Sequence, residues 1–284
     1  MRKPEKSFVQ ERKCRILSSK KAPAQAKGGA GIQKIQRPDI KHVIAVMSGK
    51  GGVGKSSVTA LLAVGARKAG FQTGVLDADI TGPSIPRMFG LKNLSEDQGI
   101  PPAISETGIK IMSLNLLLSK EDDAVIWRGP IIGKVITQFW EEVNWGALDY
   151  LFIDLPPGTA DAPLTVMQII PLDGIVVVSS PQDLAVMVVK KALNMAGQMN
   201  IPVLGLVENM SHFVCPNCQE KVEIFGPVQG EKVATLTGIP FLAGLPLDRS
   251  LAECCDSGSV EDYSSDLFQK LLQSPRLKTE TGGL

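Results

Sequence analysis

From His42 onward, short apolar runs alternate with longer stretches in which apolar residues recur every three or four positions. The runs fall at 43–47, 73–76, 110–114, 150–153, 174–178, 202–207 and 241–245. Most are apolar at every position rather than at every second one. Strands buried on both faces read this way, because helices cover a parallel sheet above and below. The intervening stretches predict helices over 56–68, 131–143, 162–169, 184–199, 230–236 and 260–272. Gly70 supplies a stop for the first of them. This alternation predicts an α/β fold, a doubly wound, mostly parallel sheet flanked by helices. Residues 211–228 break the alternation and read as an inserted loop. No apolar stretch reaches the roughly 18–20 residues that a membrane helix needs, so no membrane partner is expected.

Composition narrows the class. Apolar residues are 44% of the 284 and charged residues 21%, which excludes wholesale disorder. The 30 Lys and Arg nearly balance the 29 Asp and Glu, so no nucleic-acid partner is expected. The balance hides a split: residues 1–42 hold 12 basic and 3 acidic residues, the remainder 18 and 26. We therefore read 1–41 as a basic flexible tail, 42–275 as one domain containing the 211–228 loop, and 276–284 as a C-terminal tail. The start has no apolar segment of a secretory signal. It shares basic, serine-containing character with a mitochondrial presequence, but Glu5 and Glu11 oppose that reading. Five cysteines are odd in number and too few for a disulfide scaffold, so a reducing cytoplasm is expected.

The strongest local signal is Gly49-Lys50-Gly51-Gly52-Val53-Gly54-Lys55-Ser56. It satisfies the phosphate-loop pattern, with a buried strand before it and a helix after it. Glycines let successive N–H groups turn inward, forming an anion-binding nest at a helix N-terminus. Lys55 would reach the β- and γ-phosphates and Ser56 would offer its hydroxyl to Mg²⁺, with Ser57 beside them. The expected ligands are ATP and Mg²⁺.

Three aspartates lie at predicted strand ends, where ligands bind in open α/β sheets. Asp77 and Asp79 follow the second strand. Asp154 follows the run 150–153 and fits an acidic residue that anchors Mg²⁺ through water. Gly158, four residues on, is placed to give its N–H to a γ-phosphate. Asn209 follows the strand over 203–207, and Arg128, in Trp127-Arg128-Gly129-Pro130, has no assigned role.

Cys215-Pro-Asn-Cys218 lies in the inserted loop, close to His212. Two thiolates at this spacing suit zinc, iron or a redox disulfide. A redox pair would normally open a helix after an early strand, unlike this loop. Both metal types usually want four ligands, which a twofold dimer would supply. The adjacent Cys254 and Cys255 chelate one ion poorly, and Cys14 lies in the tail, so all three read as incidental.

With Lys50 just after the first glycine, the loop resembles the deviant form found in the MinD/ParA/ArsA group of dimeric ATPases. That resemblance implies a homodimer in which Lys50 contacts the partner's nucleotide. It implies catalytic roles for Lys50 and Lys55, a water-orienting Asp79, an Asp77 near the Mg²⁺ shell, and adenine recognition by Asn209.

More narrowly, from about residue 41 to 274 the chain resembles the Mrp/ApbC family of iron–sulfur cluster carrier ATPases. The segments SGKGGVGKSSV, LDADITGPSIPRMFG, WRGP, YLFIDLPPGTAD, VSSPQDLAV and ENMSHFVCPNC carry the likeness jointly. It implies a [4Fe-4S] cluster shared between two subunits through Cys215 and Cys218. It also implies ATP hydrolysis coupled to transfer, with cluster-scaffold and apo iron–sulfur proteins as partners. A four-cysteine N-terminal cluster known in eukaryotic relatives is not matched, since only Cys14 lies there. A MinD/ParA-like positioning ATPase would need a basic C-terminal helix or surface, and the segment SVEDYSSDLFQKLLQS is acidic at its start. A zinc-stapled regulatory ATPase is the other alternative.

Overall fold

The computed structural model describes residues 35–80, 82–91, 101–117, 129–159, 161–181 and 185–278. The tail through residue 34, with Cys14, and Arg128 lie outside the described residues. The chain opens with β1 (Ile40–Ser48), α1 (Lys55–Lys68), β2 (Thr73–Asp77), the single turn α2 (Ile85–Met88), and strands β3 (Ala103–Ile104) and β4 (Lys110–Ser113). Then come α3 (Gly129–Glu142), β5 (Leu148–Asp154), α4 (Asp161–Ile169), β6 (Gly174–Ser179), α5 (Ala185–Gln198) and β7 (Val203–Glu208). The last part holds β8 (Phe213–Val214), β9 (Lys221–Val222), α6 (Gly230–Thr237), β10 (Phe241–Gly244), α7 (Arg249–Ser257), α8 (Leu267–Leu272) and α9 (Pro275–Lys278).

Among the described residues, eight strands form one sheet in the order β10-β7-β6-β1-β5-β2-β4-β3. Every pairing is parallel except β3 on β4 at one edge. β1 is central, with β5, β2 and β4 to one side and β6, β7 and β10 to the other. Its C-terminal end therefore opens where the winding reverses, the usual ligand crevice of such sheets.

Continuous apolar strands suit this burial. β2, β6 and β7 are buried along their whole length. One core packs α3, α4, α5 and α6 on one face of the sheet. The other packs α1, α2 and α8 on the opposite face. There Tyr150 and Phe268 meet edge to face, with ring centroids 5.1 Å apart.

All seven predicted strands are present. Four details differ from the sequence reading. The helix expected over 260–272 is broken: a 3₁₀ turn (Val260–Asp262) is followed by extended Tyr263, and α8 starts only at Leu267. Tyr263 is drawn aside because its hydroxyl donates to Asp248 at 2.7 Å, and the Ser265 hydroxyl accepts the Leu267 N–H. The loop 211–228 holds a small antiparallel hairpin, β8–β9, in a sheet of its own. The short elements β3, α2 and α9 carry too few residues to show a period, and α7, nine residues long, has no buried residue and so no apolar stripe to read. The packed body also extends beyond 42–275. The Trp140 indole N–H donates to the Ile35 carbonyl at 2.8 Å, and Leu277 is core at the other end.

Candidate functional site

α1 begins without a side-chain cap and without an acidic residue in its first turn. Its N-cap, Gly54, has φ 79°, and Gly52 has φ 82°, a left-handed conformation that side chains resist. The helix thus starts with N–H groups that no side chain caps, the arrangement that anion-binding helix starts share. The Ser48 hydroxyl steadies the loop by donating to the Lys50 carbonyl at 2.9 Å. Gly49 is wedged against α5, so that a Cβ there would lie 2.0 Å from Val188 Cγ1. Lys50 is exposed, Val53 is buried, and Gly51 and Gly52 are exposed.

Lys55 Nζ, 6% exposed, lies 2.7 Å from Asp154 Oδ1 and 3.7 Å from Asp79 Oδ2. Ser56 donates its hydroxyl to Asp154 Oδ2 at 2.6 Å. Thr59, which the motif does not include, donates to Asp154 Oδ1 at 3.0 Å. Its place one turn beyond Lys55 on α1 was the only signal for it. Asp154 is fully buried, and burial raises its pKa although Lys55 and the two hydroxyls pull it down. Asp77 pairs with Asp154 across β2 and β5. Burial, then the Asp154 charge, hold the Asp77 carboxyl well above its usual range. Two carboxylates beside one buried lysine do not both ionise readily. Asp77 is occupied by protein donors: the N–H groups of Asp79 and Ile85 and the Ser113 hydroxyl. The structure thus brings Lys55, Ser56, Asp79 and Asp154 together and turns Asp77 toward Ile85 and Ser113.

Gly158, at φ 94°, donates its N–H to the Ser48 carbonyl at 2.9 Å. Asn209, 4% exposed, donates its side-chain amide to the Val53 carbonyl at 3.0 Å, and so braces the phosphate loop. Ser57 lies beside α7, where its hydroxyl bonds the half-buried Cys255 thiol. Burial raises that thiol's pKa more than the Ser57 bond lowers it.

The cysteine pair sits on the β8–β9 hairpin. The Cys215 N–H donates to the Glu220 carbonyl and the Gln219 N–H to the Cys215 carbonyl, both at 2.9 Å. Gln219 takes φ 61° to close the turn. The Cys218 N–H, then the Asn217 N–H and the Cys218 thiol, bond the Cys215 sulfur and lower its pKa. Both cysteines are free thiols and Cys218 is exposed. His212 is held away from them, its Nδ1 2.8 Å from the Ser211 hydroxyl and its carbonyl accepting the Leu247 N–H. Among the described residues, no three His, Cys, Asp or Glu side chains are grouped to hold a metal, and no helix is long and apolar enough to cross a membrane.

A family model described as ParA, NUBPL iron-transfer P-loop NTPase, matches residues 39–274. The chain is 47% identical to the iron-sulfur cluster carrier protein of Methanocaldococcus jannaschii over 242 residues, 82% of this chain and 83% of that one. Among solved structures, a nucleotide-binding protein in complex with ADP from Archaeoglobus fulgidus is 48% identical, with TM-score 0.73, covering 81% of this chain and 92% of that one. The septum site-determining protein MinD complexed with Mg-ADP from Pyrococcus horikoshii shares the fold at 16% identity and TM-score 0.56, covering 84% and 96%.

Proposed function

The chain belongs to the ParA-type family of iron-transfer P-loop NTPases, among the iron–sulfur cluster carriers, and from that premise we propose what it carries and how. It binds and hydrolyses ATP with Mg²⁺, holds a [4Fe-4S] cluster as cargo between two copies of itself, and delivers it to apo-proteins in the cytoplasm. Cluster-scaffold proteins supply the cargo.

The Cys215–Cys218 turn carries this reading. Two backbone N–H groups and a second thiol converge on one sulfur at an exposed turn, which favours thiolate and suits iron ligation. One chain offers two thiolates there. A second copy related by a twofold axis supplies the other two. Val222 and Ile224, 44% and 51% exposed beside the turn, give the copies an apolar contact.

At the nucleotide end, the donor set fits Mg²⁺: a hydroxyl and a carboxylate oxygen, Ser56 and Asp154, 2.6 Å apart. Bound there, Mg²⁺ neutralises charge on the phosphates. Lys55 leaves Asp154 for the β- and γ-phosphates, and Lys50 reaches the partner's nucleotide, where positive charge stabilises the transferring phosphoryl group. Asp79, next to Lys55, orients the attacking water. Asn209 meets the adenine edge. Gly158 can give its N–H to a γ-phosphate only by releasing the Ser48 carbonyl, so that one hydrogen bond distinguishes the triphosphate from the diphosphate.

The test is anaerobic reconstitution with iron and sulfide, followed by counting both. We expect about four of each per dimer and a brown absorption band. The Cys215→Ala/Cys218→Ala protein should load none. Retention of cluster by that variant, or a colourless zinc-holding wild type, overturns the reading.

A further inference from the structure

Glu208, the last residue of β7, and Asn209, which follows it, grip different parts of the molecule. Asn209 holds the phosphate loop through the Val53 carbonyl, and Val53 belongs to the core on the α1 side. Glu208 points to the opposite side. It is fully buried, and its Oε1 accepts the N–H of Gln229 at 3.1 Å. Gln229 is the N-cap of α6 and has no side-chain cap of its own, so Glu208 supplies one. The cysteine hairpin is the chain between these two attachments. Its entry is also fixed, because the Ser211 N–H donates to Leu245 and the Leu247 N–H to His212.

Glu208 does this at a cost. Among the described residues its Oε2 is buried with no hydrogen-bond partner. So is the hydroxyl of Ser179, its register partner on β6. An unpaired buried polar atom costs about 1–3 kcal/mol, and more when charged. A fold optimised only for stability would not keep a carboxylate there, and such violations concentrate at functional sites.

We propose that Glu208 is a positioning residue that couples nucleotide occupancy of the phosphate loop to the geometry of the Cys215–Cys218 hairpin. Movement of the loop is passed through Val53 to Asn209, and hence to the rigid end of β7. Glu208 then moves the start of α6, which is the exit of the hairpin. The inference rests on the function proposed above, but its linkage is tested without any cluster.

The experiment is hydrogen–deuterium exchange of residues 211–229 in the metal-free full chain, with and without ADP, beside a fluorescence titration of ADP affinity. In the wild type, ADP should change exchange of the hairpin at least about fivefold, the low end of typical coupling. Glu208→Ala should bind ADP within about twofold of wild type yet lose that change. Glu208→Met, which fills the space without an acceptor, does the same should the alanine protein fold poorly. Glu208→Gln should restore the response, because its amide oxygen still accepts from Gln229. An ADP response retained in the alanine and methionine variants, its loss in the glutamine variant, or its absence in the wild type would overturn the proposal. A wild type that responds to ADP but loads no iron would sink the cluster reading and leave this linkage standing.

Discussion

The phosphate loop and the cysteine hairpin leave the same end of the sheet, yet they hold their reactive groups in opposite ways. At the loop, Lys55 is 6% exposed and Asp154 is fully buried, and each is matched by charge or hydroxyl. At the hairpin, the turn between two strands of two residues each carries one exposed and one half-buried thiol. Such a hairpin is marginal alone. The difference follows the chemistry. Phosphoryl transfer needs preorganised charge that excludes water, whereas a cargo must be reached by another protein. Folding energy is concentrated at the phosphate loop, and under the function proposed above the hairpin is the surface that a metal and a partner complete.

Lys55→Ala puts the greatest strain on that contrast. It strands a buried Asp154, and breaking a buried ion pair costs about 3–5 kcal/mol. Thermal denaturation should show the loss, and ATP turnover should fall to background. An unchanged melting temperature would mean that the loop is not built into the core as described. Gly49→Ala comes next. Its Cβ meets Val188 at 2.0 Å, and overpacking costs about 1–3 kcal/mol. Gly51→Ala, with nothing within 4 Å, should shift stability by less than about 0.5 kcal/mol. Denaturant titration of the nucleotide-free proteins separates the two glycines. At the hairpin, Cys215→Ala/Cys218→Ala should also stay within about 0.5 kcal/mol of wild type while losing all iron. A larger loss would make the hairpin a structural element.

The sheet was legible because its strands are buried on both faces and so are written as unbroken apolar runs. The phosphate loop was legible because anion binding demands glycine, lysine and serine at fixed spacing. Thr59 was not, since a buried threonine in an apolar helix looks like packing until Asp154 is placed beside it. Glu208 was hidden in the same way: its partner Gln229 is 21 residues distant, and the contact is made to backbone, which leaves no pattern. The break at Tyr263 depends on Asp248, 15 residues earlier. The hairpin escaped the period because strands of two residues have none.

The finest probe compares one thiol from each region. Cys215 lies on the hairpin, and the N–H groups of Cys218 and Asn217 lower its pKa by stabilising thiolate. Cys255 lies against Ser57 at the start of the nucleotide helix, and burial there raises its pKa by penalising thiolate. Thiolate is the species that reacts with iodoacetamide. As pH rises, Cys215 should therefore be alkylated before Cys255, the former with a midpoint below the ordinary thiol value of about 8.5 and the latter above it. Mass spectrometry of metal-free protein from about pH 6 to about pH 10, spanning the free thiol value, reads both curves. Cys218→Ala should move the Cys215 midpoint up only part of the way, because the backbone N–H of residue 218 survives the substitution and is the largest cause of the shift. A full return to the ordinary value would assign the effect to the Cys218 thiol instead. Equal midpoints for Cys215 and Cys255 would erase the electrostatic difference between the two regions.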